Sequence, residues 1–411
     1  MNRTTFPRLA VVFQRIGPYH DARLRAAART SDCVAVQACA LDNTYEWSQI
    51  THRGEYSLST LFKSEDCEDL SASILTRNLF RVLTTLNPDA VMIPGWSSKL
   101  ALCCLQWCIL NEKAAVMASD STAWDFKRQP LKEWIKKRIV SACSAGLVAG
   151  RPHVDYLADL GMPRERIFLG YDVVDNDYFR RQAAEVKNSG LQLRQGLPQK
   201  YFLASARFVE KKNLPRLLEA YGCYRKLVST TKSGNEKAEI WNLVLLGDGP
   251  LRKDLENRIV ELGLQNSVMM PGFKQYDELP TYYGLADAFV HASTTEQWGL
   301  VVNEAMAAGL PVLVSNRCGC AQDLVHEGKN GFTFNPWDIC GLAQYMLGLS
   351  HGESNLQKMG KASLEIISHW GVEKFADGLN QAVHCALRYP ISQPQAIVRL
   401  LLKLLMSRRG E

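Results

Sequence analysis

Two glutamates with a glycine between them form the segment of this sequence whose chemistry is clearest. Glu296 and Glu304 are separated by seven residues, and Gly299 lies between them at the predicted start of a helix. A helix that begins there would direct its unbonded N–H groups and the positive end of its dipole at an anion. Carboxylates repel phosphate, but they accept hydrogen bonds from hydroxyl groups. An anion flanked by hydroxyl groups describes a nucleotide sugar.

A structural explanation accounts for only part of this segment. Acidic residues occur in the first turn of many helices because they complement the helix dipole, and this would explain one glutamate. It does not explain the second glutamate before the turn, the glycine between the two, or the helix exit at Gly309 and Pro311. We therefore interpret both glutamates as ligand-binding residues.

The elements that position these residues follow a regular pattern. Short apolar runs alternate with helix-length segments, which is typical of βαβ units and parallel sheets. The predicted strands are residues 9–13, 34–38, 90–93, 115–117 and 147–149 in the first half, and 201–204, 243–246, 267–270, 288–291 and 312–314 in the second. Residues 172–199 between the two series are polar and show no clear apolar period, so we place a linker near 175–178. A length of 411 residues predicts two domains.

The segment from Glu296 to Glu304 resembles the signature of retaining glycosyltransferases of the GT-B fold, family 4 in particular. The resemblance continues in the family's order through 206–213, 245–250, 271–273 and 319–331 with Asp323. It implies an α/β fold of two Rossmann-like doubly wound parallel-sheet domains that face a central cleft. It also implies an acceptor domain at 1–175, a donor domain at 176–375, and C-terminal helices at about 376–411 that pack back on the first domain.

The resemblance implies a role for each residue of the motif. Glu304 is expected to hold the ribose hydroxyls of the donor, and Glu296 a hydroxyl of the transferred sugar. Arg207 and Lys212 are expected to neutralise the diphosphate, although a solvated basic helix cap is the alternative. Lys212 is preferred to Lys211 because the family's lysine directly precedes the residue that starts the helix. The other donor-binding candidates are Gly299, Leu300, Val301, Gly17, Gly247 and Phe273.

Two residues of the first half are candidates for the acceptor side. His20 follows Gly17 in a turn between the first strand and the first helix, where it either meets the acceptor or caps the helix. The family's turn usually carries paired glycines, of which only Gly17 is present. Asp120 follows a predicted strand at a position where the family often has an acceptor-side polar residue. A helix N-cap is an equally open interpretation of Asp120.

These expectations together describe an enzyme. It would be a retaining, metal-independent glycosyltransferase that moves a hexose from a UDP- or GDP-linked sugar to a glycan or lipid-linked acceptor, in glycan, polysaccharide or glycolipid biosynthesis. No cofactor and no metal are expected, because no Asp-x-Asp lies in metal-like surroundings and the cysteines fit no common metal spacing. A sugar-nucleotide epimerase or hydrolase, and a noncatalytic sugar-nucleotide-binding subunit, are the alternatives.

The charge and hydropathy of the sequence limit the partners and the cellular location that we expect. The net charge of +6 comes without the aromatic and basic alternation of a nucleic-acid groove, so no nucleic acid is expected. No secretory signal is visible, and the most apolar helix candidate, 100–110, is too short to span a bilayer, so a cytoplasmic protein is expected. Basic residues surround Leu131 and Trp134 at helical spacing, and 397–409 is also apolar and basic. Such helices either contact an anionic membrane surface peripherally or are ordinary solvated faces.

Overall fold

The chain forms two compact units, each built on one parallel sheet. The computed structural model describes residues 6–40, 54–63, 71–189, 196–230, 239–351, 353–389, 391 and 396–407. Unit 1 comprises Met1–Val174 and Val372–Glu411, and unit 2 comprises Asp175–Gly371. Unit 1 is therefore made from two separate stretches of the sequence.

Among the described residues, seven strands form the sheet of unit 1, in the order β3-β2-β1-β4-β5-β6-β7. They are β1 (Arg8–Phe13), β2 (Asp32–Cys39), β3 (Ser57–Phe62), β4 (Ala90–Pro94), β5 (Ala114–Ser119), β6 (Ala145–Val148) and β7 (Ile167–Leu169). Every neighbouring pair is parallel; Val11, for example, lies opposite Ala35 on one side and Met92 on the other. This strand order is that of a doubly wound Rossmann-like sheet.

Helices cover both faces of this sheet because alternate side chains of each strand point to opposite faces. The helices of unit 1 are α1 (Pro18–Ala28), α2 (Ala72–Leu86), α3 (Lys99–Leu110), α4 (Pro130–Val140), α5 (Arg151–Asp159), α14 (Val372–Arg388) and α15 (Ala396–Ser407), with a 3-10 turn at Arg164–Arg166. Ala10 and Val12 belong to the core on the face covered by α2 and α3. Leu9 and Val11 belong to the core on the face covered by α1 and α14.

Helix α14 completes unit 1 although it follows unit 2 in the sequence. Phe375, Leu379 and Val383 recur every four residues and are buried in the core that contains β1. At Gly378, a Cβ atom would lie 2.1 Å from the carbonyl oxygen of Leu169, so the helix approaches the end of β7 at a distance that only glycine permits. The helix is therefore an integral layer of unit 1.

Unit 2 has a six-stranded sheet in the order β10-β9-β8-β11-β12-β13, again with parallel neighbours. Its strands are β8 (Tyr201–Ser205), β9 (Asn242–Leu246), β10 (Val268–Gly272), β11 (Ala288–His291), β12 (Val312–Ser315) and β13 (Gly331–Phe334). Its helices are α6 (Asn176–Asn188), α7 (Leu214–Thr230), α8 (Arg252–Glu261), α9 (Leu279–Leu285), α10 (Leu300–Ala307), α11 (Ala321–Leu324), α12 (Ile339–Ser350) and α13 (Glu353–Ile367), with a 3-10 turn at Glu210–Lys212.

The predicted strands all occur, but three further strands and one helix were not predicted. β3, β7 and β13 are edge strands, where one missing neighbour relaxes the need for a continuous apolar run. Helix α6 lies inside the stretch 172–199 that shows no clear apolar period. Phe179, Ala183 and Val186 bury one face of this helix, and the Asp175 side chain caps it by accepting from Tyr178 N–H at 2.9 Å. Charged neighbours conceal this apolar spacing.

No helix within the described ranges combines the length and the apolar run needed to cross a bilayer.

Candidate active site

Backbone hydrogen bonds join the loops at the carboxyl edge of the unit 2 sheet. Because the strands are parallel, the loops that follow β8, β9, β11 and β12 meet at one edge. The Phe208 N–H donates to the Asp248 carbonyl at 2.8 Å, which joins the loops after β8 and β9. The Thr294 N–H donates to the Lys211 carbonyl at 2.8 Å, which joins the loops after β8 and β11. Side chains on these loops therefore have fixed neighbours.

Lys212 and Glu296 form an ion pair between two of these loops. The Nζ of Lys212 donates to Oε2 of Glu296, and the side chains are 14% and 12% exposed. Asn213 follows in the left-handed region, with φ 57°. Its Nδ2 donates to the carbonyls of Ala292 at 3.1 Å and Pro336 at 2.8 Å. The buried Asn213 amide thus anchors the backbone that carries Lys212.

Two further side chains donate to the same oxygen of Glu296. The Nε2 of His291 and the Oγ of Ser293 each lie 3.3 Å from Oε2, and the Ser293 Oγ lies 3.2 Å from the His291 Nε2. Burial alone would raise the pKa of Glu296. The charge of Lys212 and the hydrogen bonds of His291 and Lys212 outweigh burial and hold this pKa well below its ordinary value. Glu296 is therefore an ionised carboxylate at neutral pH.

His291 itself is buried at the end of β11. Burial, with the charge of Lys212, lowers its pKa, against the opposing effect of Glu296. A neutral imidazole that donates from Nε2 satisfies both contacts of this ring, because the Ser293 hydroxyl can accept from it while donating to Glu296. The sequence analysis did not single out His291 or Ser293. A histidine that ends an apolar strand five residues before Glu296 is the signal that could have found it.

Helix α10 begins beside this carboxylate. Gly299 precedes the helix with φ 104°, and a Cβ there would lie 3.5 Å from the Glu296 Cγ and 3.6 Å from the Cys320 Sγ. The half-buried Leu300 and Val301 are the first two residues of the helix, where backbone N–H groups have no partner within a helix. The turn thus brings an anion-attracting helix terminus next to Glu296.

Glu304 lies deeper in unit 2 than Glu296. Its side chain is fully buried and accepts a hydrogen bond from the Tyr283 hydroxyl at 2.5 Å. Burial, together with the charge of Glu304, raises the pKa of Tyr283 well above its ordinary value, so the phenol stays a donor. Glu304 therefore has a partner inside the fold, and its contact with a ribose stays a prediction.

Comparison with known proteins places this arrangement in a family. Residues 192–365 match the family described as glycosyl transferases group 1. Unit 2 is a group 1 glycosyltransferase domain. The chain is 36% identical over 143 residues to the sulfoquinovosyl transferase SQD2 of Arabidopsis thaliana, covering 34% of this chain and 27% of that protein. It is 26% identical over 220 residues to the alpha-D-kanosaminyltransferase of Streptomyces kanamyceticus, covering 53% and 54%. The matches thus span about half or less of these relatives.

Solved structures resemble the chain over both units. The Anabaena protein Alr3699/HepE in complex with UDP has a TM-score of 0.69 at 16% identity, covering 90% of this chain and 98% of that one. Sucrose-phosphate synthase of Thermosynechococcus elongatus has a TM-score of 0.70 at 16% identity, covering 91% and 98%. The predicted fold of two Rossmann-like parallel-sheet domains, as in GT-B glycosyltransferases, is confirmed.

The remaining donor-side candidates lie on neighbouring loops of the group 1 domain. Gly247 follows β9 with φ 130°, and a Cβ there would lie 2.0 Å from the carbonyl oxygen of Ala206. Arg207 directly follows Ala206 and is exposed, as is Lys211. Phe273 is half-buried directly after β10. Ala206, which precedes Arg207, is thus in close backbone contact with Gly247, and the Lys212 side chain contacts Glu296.

In unit 1, the structure shows His20 as a helix cap. Its Nδ1 accepts a hydrogen bond from the Gly17 N–H at 3.2 Å, and its ring centroid lies 4.3 Å from that of Phe13. Burial and the nearby charge of Arg23 lower the pKa of His20 to about 3, so the ring is neutral. Of the two interpretations of His20, the structure therefore provides the geometry for capping. An acceptor contact stays a prediction.

Asp120 belongs to a cluster that the sequence did not reveal. Arg23 is buried, donates from Nε to the Val173 carbonyl at 3.0 Å and from Nη2 to Oδ1 of Asp172 at 3.2 Å. Burial and the charge of Asp172 raise the pKa of Asp120 to about 7. Asp120 does not cap α4, because that helix begins at Pro130 after Gln129. The carboxyl edge of unit 1 thus carries two acids, Asp120 and Asp172, and one cation, Arg23, which two hydrogen bonds hold in place.

Across the described ranges, no group of three or more His, Cys, Asp or Glu side chains is arranged to hold a metal ion.

Proposed function

We propose that this protein transfers a hexose from a nucleoside diphosphate to an acceptor hydroxyl, with retention of configuration and without a metal ion. The observation that carries the proposal is the ionised Glu296, which Lys212, His291 and Ser293 hold beside the start of α10. An ionised carboxylate, a cation and a helix N-terminus within one loop cluster suit a ligand that combines hydroxyl groups with phosphate.

Each side chain has a role in this proposal. Lys212 exchanges its partner Glu296 for the diphosphate when the donor binds, and Arg207 adds a second cation on the same loop. The N–H groups of Leu300 and Val301 face the diphosphate. Glu296 then accepts from a hydroxyl of the transferred hexose. Catalysis comes from orientation and from stabilisation of the charge on the leaving diphosphate.

Oxygen Oε1 of Glu296 is the atom we assign to the sugar. Among the described residues, the hydrogen bonds to this carboxylate from Lys212, His291 and Ser293 all end on Oε2. A carboxylate whose one oxygen is held by the protein presents the other in a fixed direction, which is what selective binding of one hydroxyl requires. Glu304 holds the ribose hydroxyls, and Gly247 and Phe273 border the base.

The acceptor is a lipid-linked or glycan hydroxyl in glycolipid or polysaccharide synthesis, and the reaction takes place in the cytoplasm. Relatives of this chain support that choice by their names: a sulfoquinovosyl transferase, and the alpha-monoglucosyldiacylglycerol synthase of Acholeplasma laidlawii, 34% identical over 131 residues. The structural neighbour with bound UDP supports a nucleoside diphosphate as the donor's leaving group.

Two substitutions test the site. Glu296→Gln keeps the shape of the side chain and removes its charge, and Lys212→Met removes the cation. We expect each to reduce sugar transfer from the preferred UDP-, GDP- or ADP-linked donor at least about 1,000-fold, the scale of losing one preorganised electrostatic contact in a transition state. Lys211→Met, in the exposed neighbour, is the matched control and should transfer at the wild-type rate. Near-normal transfer by either site variant contradicts the assignment.

Thermal stabilisation by nucleotides separates the alternatives. A ligand that binds only the folded state raises the melting temperature with concentration. Stabilisation by one nucleotide with sugar transfer, unchanged by EDTA, supports the proposal. Stabilisation with donor conversion that needs no acceptor indicates an epimerase or hydrolase, and stabilisation without turnover indicates a binding subunit. Glu304→Ala is unsuitable here, because it would leave the buried Tyr283 hydroxyl without its acceptor.

A further inference from the structure

Two helices of unit 1 expose large apolar side chains to solvent. Helix α4 ends at Val140 and helix α15 begins at Ala396, yet the two helices contact each other, and α15 also packs on α3. The exposed apolar side chains of the two helices and of the turn before α4 are Phe126 (82% exposed), Leu131 (70%), Trp134 (37%), Leu400 (57%) and Leu404 (53%). We call this set, with the basic residues named below, the α4–α15 face.

Packing inside unit 1 does not account for these side chains. Helix α15 already buries Val398 and Leu402, four residues apart, in the core that contains α3. Leu400 and Leu404, also four residues apart, lie on a different side of the helix and remain exposed. An α15 with one apolar side buried and a second exposed is more apolar than attachment to unit 1 requires. Exposed apolar sets of this kind mark contact surfaces.

The charge of the α4–α15 face is predominantly positive. Its basic residues are Lys127, Arg128, Lys132, Lys137, Arg138, Arg399 and Lys403, of which Arg128 is paired with Asp159 at 3.6 Å. The one acid within α4, Glu133, is engaged by Lys136 at 2.9 Å and by the Tyr156 hydroxyl at 3.1 Å. The described part of α15 contains no acid. The guanidinium of Arg138 lies over the Trp134 ring at 5.4 Å, which places a cation and an amphipathic ring at one point.

We propose that the α4–α15 face docks the protein on an anionic lipid bilayer. Leu131, Leu400 and Leu404 enter the boundary between headgroups and acyl chains, Trp134 lies at the headgroup level, and the lysines and arginines contact anionic headgroups. A second copy of this chain is a poorer occupant, because two faces of the same sign repel. A nucleic acid would satisfy the cations and leave the leucines unused.

The docking is independent of the transfer chemistry. Combined with the proposed function, on which this point rests, the docking means that the acceptor hydroxyl is presented at the membrane surface. Vesicle binding without any nucleotide sugar therefore tests the surface alone, and its failure leaves the proposed transfer reaction untouched. Failure of sugar transfer, in turn, leaves the vesicle result standing.

Flotation of the full chain with vesicles is the experiment. We compare vesicles of phosphatidylcholine alone with vesicles that also contain phosphatidylglycerol. Wild-type protein should float only with the anionic vesicles, and less at high salt. Lys132→Gln, Lys137→Gln and Lys403→Gln combined should weaken binding about 100-fold, at about fivefold per cation. Leu400→Ser with Leu404→Ser should weaken binding at least about tenfold at every salt concentration, because buried apolar area is lost.

A matched control comes from α8 in unit 2. That helix also exposes a lysine, Lys253, and an apolar residue, Val260, which is 60% exposed. Lys253→Gln with Val260→Ser should float like the wild type. Equal flotation of all variants overturns the proposal, as does flotation with neither vesicle. A dimer in light scattering that Leu400→Ser with Leu404→Ser dissociates would assign the face to a second copy instead, and binding to RNA that survives the leucine changes would assign it to a polyanion.

Discussion

Each of the two sheets has a cation beside a carboxylate at its carboxyl edge, and the two ion pairs differ in exposure and in their further contacts. In unit 2, Lys212 and Glu296 remain partly exposed, and the cation keeps the carboxylate ionised. In unit 1, Arg23 is buried and also donates to a backbone carbonyl, while burial and the charge of Asp172 raise the pKa of Asp120. An ion pair that keeps some exposure can exchange a partner for a ligand. A buried pair that also holds the backbone stabilises the fold and sets the protonation of its neighbour.

This difference in exposure indicates which of the two ion pairs can release a charged side chain to a ligand. A buried ion pair is costly to break, because removing one partner leaves the other charge in a poorly solvated place. The Lys212–Glu296 pair is the more exposed of the two, at 14% and 12% against 2% and 10%, and Glu296 keeps His291 and Ser293 as donors, so breaking this pair should cost less. The edge of unit 2 can therefore change its contacts during a reaction cycle, and the Arg23 pair of unit 1 should keep the same contacts throughout.

The largest expected effect is on the buried pair. Arg23→Met removes the guanidinium that faces Asp172, and we expect it to lower the free energy of unfolding by about 3–5 kcal/mol. Lys212→Met in unit 2 should cost less, about 1–3 kcal/mol, because Glu296 keeps two other donors. Urea unfolding of both variants measures the contrast. Arg23→Met with Asp172→Asn should recover part of the loss, and equal costs for the two single variants would remove the distinction between the edges.

The next effect concerns how the loops of unit 2 are held. Gly247→Ala places a Cβ against the Ala206 carbonyl at a backbone conformation that other residues rarely adopt, so we expect a loss of about 2–4 kcal/mol. Gly263→Ala is the matched control: its φ is also positive, at 65°, but a Cβ there meets nothing within 4 Å. It should cost only about 1 kcal/mol. Thermal unfolding compares the two, and similar losses would show that close contact between loops is unimportant.

A smaller effect should appear in the kinetics of His291 variants. His291→Phe keeps a buried ring and removes one donor to Glu296, so we expect transfer to fall about tenfold. Because the lost hydrogen bond favours the ionised carboxylate, the acid limb of the pH–rate profile should move to higher pH. His291→Gln restores an amide donor and should recover part of both changes. An unchanged acid limb would mean that His291 supports the fold alone.

The smallest effect is a difference in pH dependence between the edges. The raised pKa of Asp120 stabilises the fold fully at pH below its ordinary value near 4, and this contribution is lost as the pH rises through about 7. Asp120→Asn should therefore be more stable than the wild type at pH 8, on the order of 1 kcal/mol. Glu296→Gln should show the opposite sign, because the lowered pKa of Glu296 stabilises the fold above the ordinary glutamate pKa and is lost in acid. Melting curves between pH 4 and 8 test both; parallel curves for wild type and Asp120→Asn would contradict the first.

Local motifs make the loops at the unit 2 edge easier to anticipate from the sequence than those at the unit 1 edge, although the roles of their residues stay predictions. Short motifs contain Glu296, Gly299 and the basic loop that ends at Lys212. Glycines in neighbouring motifs, such as Gly247 beside the Ala206 carbonyl, permit the close contacts between these loops. Arg23 and Asp172 are 149 residues apart, and no local pattern connects them. Only the folding of β7 beside the sheet brings them together.

The core strands were also easier to predict than the edges of the sheets. A central strand such as β1 is buried on both faces and reads as a continuous apolar run. β3 mixes serine and threonine with apolar residues, and β7 has three residues. Such edge strands form because they pair with a strand elsewhere in the sequence, and the local pattern of apolar residues does not reveal that pairing.

The position of α14 sets the order in which the chain can finish folding during synthesis. The strands of unit 1 leave the ribosome first, but Phe375, Leu379 and Val383, which fill one side of their core, are made only after the whole of unit 2. Unit 2, which is continuous in sequence, can complete its core earlier. Until the group 1 domain has been translated, this apolar sheet face of unit 1 is therefore covered only in part, by α1. Chaperone binding to that face is the expected fate of chains stalled before α14.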